Sequence, residues 1–264
     1  MFKRIIGKTT LITGASAGIG ESTARIFAEY GSNLVLTARR VERLVKLKQD
    51  ILGLNPEIKV HLIGMDVSNE SSVIEGFKTL PEWIPNGKID VLINNAAVGL
   101  GTDTVLELKT NDMTKMIDTN IKGLVWVTQQ VLPAMLKENN GTIINIGSLS
   151  AHMARASSGM YAATKFAMRA ITDSLKAETN STRIRVIEID PGMVKTEFSI
   201  IRVRGDMELA ENHFESIPHL SVNEVAETIL FAASRSEDCV LSEITIVPNG
   251  QINAHILGTT RKDE

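Results

Sequence analysis

Apolar residues fall into two alternating rhythms along the chain. Short β-branched runs recur at residues 9 to 13 (TTLIT), 34 to 38 (LVLTA), 59 to 64 (KVHLIG), 89 to 93 (IDVLI), 142 to 147 (TIINIG), 184 to 190 (IRVIEID) and 242 to 247 (SEITIV), and each predicts a strand. Between them, apolar positions repeat at helical spacing over 18 to 30, 41 to 52, 112 to 137, 158 to 179 and 222 to 235. Alternation of this kind predicts an α/β fold: a doubly wound parallel sheet of about seven strands with helices on both faces. No proline- or serine-rich linker, low-complexity tract or long repeat interrupts the pattern, so one domain over 1 to 264 is expected. One stretch breaks the rhythm. Met193 to Leu220 is long and mixed, lies between Pro191-Gly192 and Pro218, and follows the sixth strand on the edge where such sheets bind ligands. A substrate lid at about 193 to 220 is the expectation, with a surface insertion as the alternative.

Composition narrows the partners. With 43% hydrophobic and 22% charged residues, the 264-residue chain has ordinary globular composition, which excludes disorder. Its 28 Lys and Arg against 31 Asp and Glu leave a net charge of -3, so no global basic footprint for nucleic acid or anionic membrane exists. A small-molecule partner is expected. Cys239 is the only cysteine, which excludes an intrachain disulfide and fits a reducing compartment. Lys8 interrupts the first apolar run, and no run approaches the roughly 18 apolar residues of a membrane span. A soluble, cytoplasmic protein is the expectation. His61, His152, His213, His219 and His255 show no metal-ligand spacing, and no metal is expected.

The first strand runs into TGASAGIG, with Gly14, Gly18 and Gly20 opening the first predicted helix. Glycine here lets the backbone turn tightly and approach a pyrophosphate, while the helix N-terminus offers unpaired N–H groups to the anion. A carboxylate at the end of the second strand would accept from a ribose 2′-hydroxyl and repel a 2′-phosphate. This chain has Arg39 and Arg40 instead. Two guanidinium groups suit a near-dianionic phosphate, so NADP is the expected cofactor, with Ser16 placed to donate a further hydrogen bond. The alternative is that both arginines begin a solvated helix.

Tyr161 and Lys165 share one helix face at i,i+4 spacing in YAATK. A neighbouring ammonium would lower the tyrosine pKa toward neutrality and make proton exchange possible. Ser148 ends the fifth strand in NIGSLS, where its hydroxyl can hold a substrate oxygen. Asn120 sits inside a long helical segment, where asparagine is unfavourable without a specific partner. TGASAGIG, NNAA at 94 to 97, Asn120, Ser148, YAATK and Pro191-Gly192 together resemble the short-chain dehydrogenase/reductase family over nearly the whole chain. The resemblance implies a Rossmann-type fold and a tetrad of Asn120, Ser148, Tyr161 and Lys165. It also implies that Asp66 and Val67 bracket the adenine. Ile19, Asn94, Ala96, Pro191, Gly192 and Val194 would line the cofactor, Thr196 would meet the nicotinamide amide, and Lys165 would hold the ribose. Asn120 would position a water that reconnects Lys165 to solvent.

One position departs from that pattern: Ala97 stands where the family usually has glycine. Alanine is tolerated if the backbone there has negative φ and strained if φ is positive. A narrower resemblance, carried by TEFSIIRVRGD (196 to 206), TARRVERL and LPEW, is to NADP-dependent 3-hydroxy acid dehydrogenases. It implies hydride exchange with serine, allo-threonine, 3-hydroxypropionate or malonic semialdehyde. Arg202 or Arg204 on the lid would then bind the substrate carboxylate, and Met153, just after Ser148, would wall the pocket. Lid or subunit salt bridges are the plainer use for those arginines. The family implies a homotetramer joined through the segments 112 to 137 and 158 to 179. The readings left open beside this one are a broad carbonyl or sulfoacetaldehyde reductase and a non-catalytic NADP-sensing module.

Overall fold

A computed structural model describes residues 2–212, 217–254 and 258. His213, His255 and part of the 193–220 lid and of the C-terminal tail lie outside the described residues. The elements run β1 (Thr9–Thr13), α1 (Gly18–Glu29), β2 (Asn33–Ala38), α2 (Val41–Leu54), β3 (Val60–Gly64), α3 (Glu70–Phe77) and β4 (Val91–Asn94). They continue with α4 (Thr110–Ile117), α5 (Gly123–Glu138), β5 (Gly141–Ile146), α6 (Gly159–Glu178), β6 (Ile184–Pro191), α7 (Glu197–Arg202), α8 (Met207–Asn212), α9 (Val222–Ala233) and β7 (Glu243–Ile246).

The seven strands form one sheet in the order β3-β2-β1-β4-β5-β6-β7, and every pairing is parallel. The runs read as strands all become strands. They are apolar at consecutive positions because both faces of the sheet are covered, so successive side chains enter different cores. Leu11, Val35, Leu92, Ile143 and Val186 pack with Val127 and Val131 of α5 and Leu175 of α6. Their neighbours Ile12, Leu36, Ile93, Ile144 and Ile187 pack instead with Phe27 of α1, Leu44 and Ile51 of α2, and Ile229 of α9. Each such side chain contributes roughly 1.5–3 kcal/mol of burial.

Two helical readings change. The short α3 was not foreseen, because only Val73 and Gly76 of its eight residues are buried. The single helix expected over 112 to 137 is α4 and α5 joined by a π-type turn at Asp118–Lys122, with Asn120 buried in the turn. A π turn of this kind locally widens the helix and re-aims a side chain.

Candidate active site

The strand order reverses between β1 and β4, and ligands bind at such a switch because the connections on either side leave in opposite directions. The gap is held open by side-chain hydrogen bonds: Thr13 Oγ1 accepts from the backbone N–H of Asn95 and Ala96 at 3.0 Å each, and Asn95 Nδ2 donates to Thr13 O at 2.8 Å. Above it lies a cavity of about 330 Å³. Gly14 has φ +67°, and a Cβ on it would lie 3.0 Å from Ala96 Cα. Behind it, a Cβ on Gly20 would lie 2.5 Å from Asn95 Nδ2 and from Gly14 O. The glycine turn is therefore sterically required by the backbone's approach to the β4 end. Ala17 precedes α1 without a side-chain cap, so its own side chain leaves the N–H groups of the first turn to another acceptor.

Most of the residues expected from the sequence converge on this cavity. Gly14, Ser16, Gly18 and Ile19 form one wall; Arg39, Arg40, Asp66 and Val67 form the end beside β2 and β3. Ala96, Ser148, Tyr161 and Lys165 line the middle, with Pro191, Gly192, Val194 and Thr196 opposite. Gly20 sits one layer back. Asn94 does not line the cavity: its side chain is buried and donates to Thr128 and Asn145, and Asn95 takes the lining position instead. Strand alternation sends adjacent residues to opposite faces, which the paired asparagines alone do not resolve. Ala97 lines the cavity and is not among the positive-φ residues Asn86, Asn139, Ser157 and Arg204, so its methyl meets no left-handed strain.

At the β2 end, Arg40 donates to Ser16 Oγ at 3.3 Å and to Glu197 at 3.0 Å. Arg43 holds the same carboxylate through both oxygens, at 2.7 and 2.9 Å. The hydrogen bond from Arg43, followed by that from Arg40, holds the Glu197 carboxyl below its usual range. Glu197 and Arg43 were not foreseen. They are 154 residues apart in sequence, and only the fold joins them.

Ser148 is anchored where β5 ends, its N–H donating to Asp190 Oδ1 at 2.9 Å. Tyr161 stands in the first turn of α6. Burial pushes its hydroxyl above the ordinary tyrosine value, while a hydrogen bond with Ser148 and the positive charge of Arg202 oppose that rise. Lys165, one turn on, is 3% exposed and donates to Ile146 O at 2.7 Å. Burial lowers its pKa to about 8, against the charges of Asp190 and Glu188. Two cations flank the Tyr161 ring, Arg202 at 5.4 Å and Lys165 Nζ at 5.9 Å from its centre, and the charge of Arg202 favours the phenolate.

Asn120 lies behind the cavity wall. Its Oδ1 accepts from Val98 N–H at 2.8 Å, and its Nδ2 donates to Val98 O at 2.8 Å and to Thr164 Oγ1 at 3.0 Å. The mid-helix asparagine therefore has a partner: it ties the segment after β4 to the turn of α6 that carries Lys165. Both of its amide hydrogens are engaged by protein.

At the far end, Arg202 of α7 enters the cavity, and its Nη2 donates to Ser158 Oγ at 2.8 Å. Its Nε is buried with no hydrogen-bond partner. Arg155, which the sequence did not single out, lines the same end. Arg204 points away and pairs with Asp103 and Asp112, the plainer use considered for it. Met153 is 40% exposed and does not line the cavity, which corrects its assignment as a pocket wall. Phe198 takes that place, its ring 5.5 Å from that of Tyr161.

The histidines carry one surprise. His152, Asp190 and Glu243 bring ligand-type atoms within 4.8 Å of one another, from a loop and two strands that no sequence spacing connects. Arg169 already supplies the cation: it contacts His152 Nδ1 and pairs with Glu243 at 2.9 Å.

The family model for short chain dehydrogenase matches residues 8–204. An NADP-dependent 3-hydroxy acid dehydrogenase of Schizosaccharomyces pombe is 40% identical over 253 residues, 96% of each chain. The serine 3-dehydrogenase of Agrobacterium fabrum is 32% identical over 243 residues, covering 92% of this chain and 94% of that one. A solved serine dehydrogenase in its closed form, complexed with NADP+, superposes with a TM-score of 0.87 at 34% identity over 96% of this chain and all of the other. The chain belongs to the short-chain dehydrogenase family, and is therefore an oxidoreductase of the class acting on CH–OH groups.

Proposed function

We propose that the protein is an NADP(H)-dependent dehydrogenase that exchanges hydride between the nicotinamide and a short 3-hydroxy acid or its semialdehyde. Serine, allo-threonine and 3-hydroxypropionate with malonic semialdehyde are the substrate set. The 3-hydroxy acid dehydrogenase and serine dehydrogenase relatives support this, but the observation that carries it is Arg202: a guanidinium beside Tyr161 whose Nε is buried without an acceptor. A substrate carboxylate would complete it through a charge-assisted, bidentate pair.

The residues fit a phosphorylated dinucleotide. A Cβ at Gly14 or Gly20 would run into Ala96 or Asn95 and force the turn away from the β4 end, and at the β2 end Arg39, Arg40 and Arg43 outnumber the carboxylates Glu197 and Asp66. Gly14, Ser16, Gly18 and Ile19 would hold the pyrophosphate side, Arg39 and Arg40 the 2′-phosphate, Asp66 and Val67 the adenine, and Ala96, Pro191, Gly192, Val194 and Thr196 the nicotinamide half. When bound, the cofactor supplies or accepts the hydride. Ser148 donates to the substrate oxygen as negative charge grows there. Tyr161 gives that oxygen its proton in the reductive direction and takes it back in the oxidative one. Lys165, with a pKa near 8, exchanges protons in the working range, and Asn120 keeps it in register by holding Thr164.

The protein acts as a homotetramer in the cytoplasm under this reading. Ala163, Phe166 and Ala170 leave an exposed apolar stripe along α6, on the segment the family uses for assembly. Among the described residues no helix is long and apolar enough to cross a membrane. The test offers purified protein NADP or NAD with serine, allo-threonine, 3-hydroxypropionate and a neutral alcohol of similar size, and follows reduced nicotinamide by absorbance. Reduction of NADP with the acids is expected. Turnover of the neutral alcohol alone would overturn the acid reading in favour of a general carbonyl reductase.

A further inference from the structure

The two ends of the cavity differ in how their charges are balanced. The carboxylates lining it, Asp66 and Glu197, are both engaged at the nucleotide end: Asp66 accepts from Ser68, and Glu197 is held by Arg40 and Arg43. Asp190, behind Tyr161, is taken up by the Ser148 N–H and by His152 Nε2 at 2.7 Å. The substrate end holds Arg155 and Arg202, and among the described residues neither is paired with a carboxylate. Burial, and then the charge of Arg155, holds the Arg202 pKa below its usual value. The loop between the end of β5 and α6 carries both Arg155 and Ser158, and Ser158 orients Arg202; its Ser157 stands at φ +58°. Left-handed backbone in a non-glycine residue is uncommon and persists where surrounding structure imposes it.

We propose that Arg155 and Arg202 form a two-guanidinium subsite that selects short substrates whose head group carries two negative charges over equally shaped substrates carrying one. This rests on the acid-substrate reading above and sharpens its substrate class. A single carboxylate neutralises one guanidinium and leaves the second as uncompensated charge in a partly desolvated pocket. A dianionic head, such as a phosphonate or two carboxylates on one carbon, balances both and can accept from both guanidinium forks.

The test uses three aldehydes of similar size: butanal, sulfoacetaldehyde and phosphonoacetaldehyde. The last two share carbon skeleton and tetrahedral head and differ by one charge at about pH 8. We expect kcat/KM for phosphonoacetaldehyde to exceed that for sulfoacetaldehyde by roughly tenfold, the size of one charge-assisted hydrogen bond. Arg155→Gln should bring that ratio to about one, and Arg155→Lys should keep part of it. Calorimetric titration of the NADP-loaded protein with ethylphosphonate and ethanesulfonate should show the same preference and the same dependence on Arg155, without turnover. A wild-type ratio at or below one, or a ratio that survives Arg155→Gln, overturns the paired subsite while leaving the acid reading intact. Butanal outperforming both anions overturns the acid reading and the subsite together.

Discussion

Arginines stand at both ends of the cavity, but among the described residues a counter-ion faces them at one end and not at the other. Arg40 and Arg43 are folded onto Glu197, the first residue of α7, whereas Arg202, the last residue of the same short helix, donates to the Ser158 hydroxyl and lies beside the Tyr161 ring. A phosphate arriving at the first end exchanges for a carboxylate already there. An anion arriving at the second meets an unsatisfied guanidinium and gains its full interaction. α7 therefore spans the two ends, with Glu197 at its start and Arg202 at its finish.

The largest expected effect removes the group on which both ends converge. Tyr161→Phe should lower kcat by roughly 10²–10⁴-fold with little change in NADPH binding followed by fluorescence, since it deletes proton transfer alone. Weakened cofactor binding of similar size would mean that the tyrosine acts by holding the nucleotide. Next comes Arg202→Met, expected to raise KM for 3-hydroxy acids by roughly 10–100-fold without raising it for a neutral alcohol. The same variant should be more thermostable by a few degrees, since it deletes a partly buried charge whose Nε has no acceptor. Equal losses on acids and neutral alcohols, or a lower Tm, would show that Arg202 is a packing residue.

Smaller changes are expected at the paired end. Arg40→Ala should weaken NADP about tenfold and leave NAD unaffected, less than the Arg202 effect because part of the gain is offset by Glu197. Glu197→Gln should do the opposite and tighten NADP several-fold near neutral pH. Because the Glu197 carboxyl is held below its usual range, its competition is present at neutral pH and fades only in acid, where the two proteins' affinities should converge. Titration of both proteins with NADP across pH checks the sign.

The smallest effect lies behind the site. Asn94, Asn145, Glu188 and Glu243 form a row across four neighbouring strands, and both oxygens of Glu188 are buried without a hydrogen-bond partner. Burial, then the charge of Asp190, raises the Glu188 pKa from 4.5 to about 8. A raised folded pKa gives a stabilising contribution that is complete below pH 4.5 and lost as pH rises through about 8. Glu188→Gln should therefore raise Tm by a few degrees at about pH 8 and leave it unchanged in acid. An equal effect at both pH values would assign the change to packing.

Much of this was legible in the chain itself. Seven apolar runs separated by helical periods determined the strands, their parallel pairing and the layers, because a strand covered on both faces must be apolar at consecutive positions. The glycine turn, Ser148, and Tyr161 with Lys165 were readable because each is a local pattern: a turn that needs glycine, a strand end, an i,i+4 pair. What the tertiary structure decided was which neighbour points where and which distant charges meet. Alternation along the β4 end sent Asn95 to the cavity and Asn94 into the core, and the π turn gave Asn120 to Val98. In the lid, Arg202 and Arg204 are two residues apart, yet the end of α7 turns one inward and leaves the other to Asp103 and Asp112. Arg155, Glu197 with Arg43, and His152 with Asp190 and Glu243 had no signature at all, since their partners come from elements far apart in sequence. Backbone periodicity is written residue by residue, whereas the pairing of charges depends on distances that exist only once the sheet and its helices have packed.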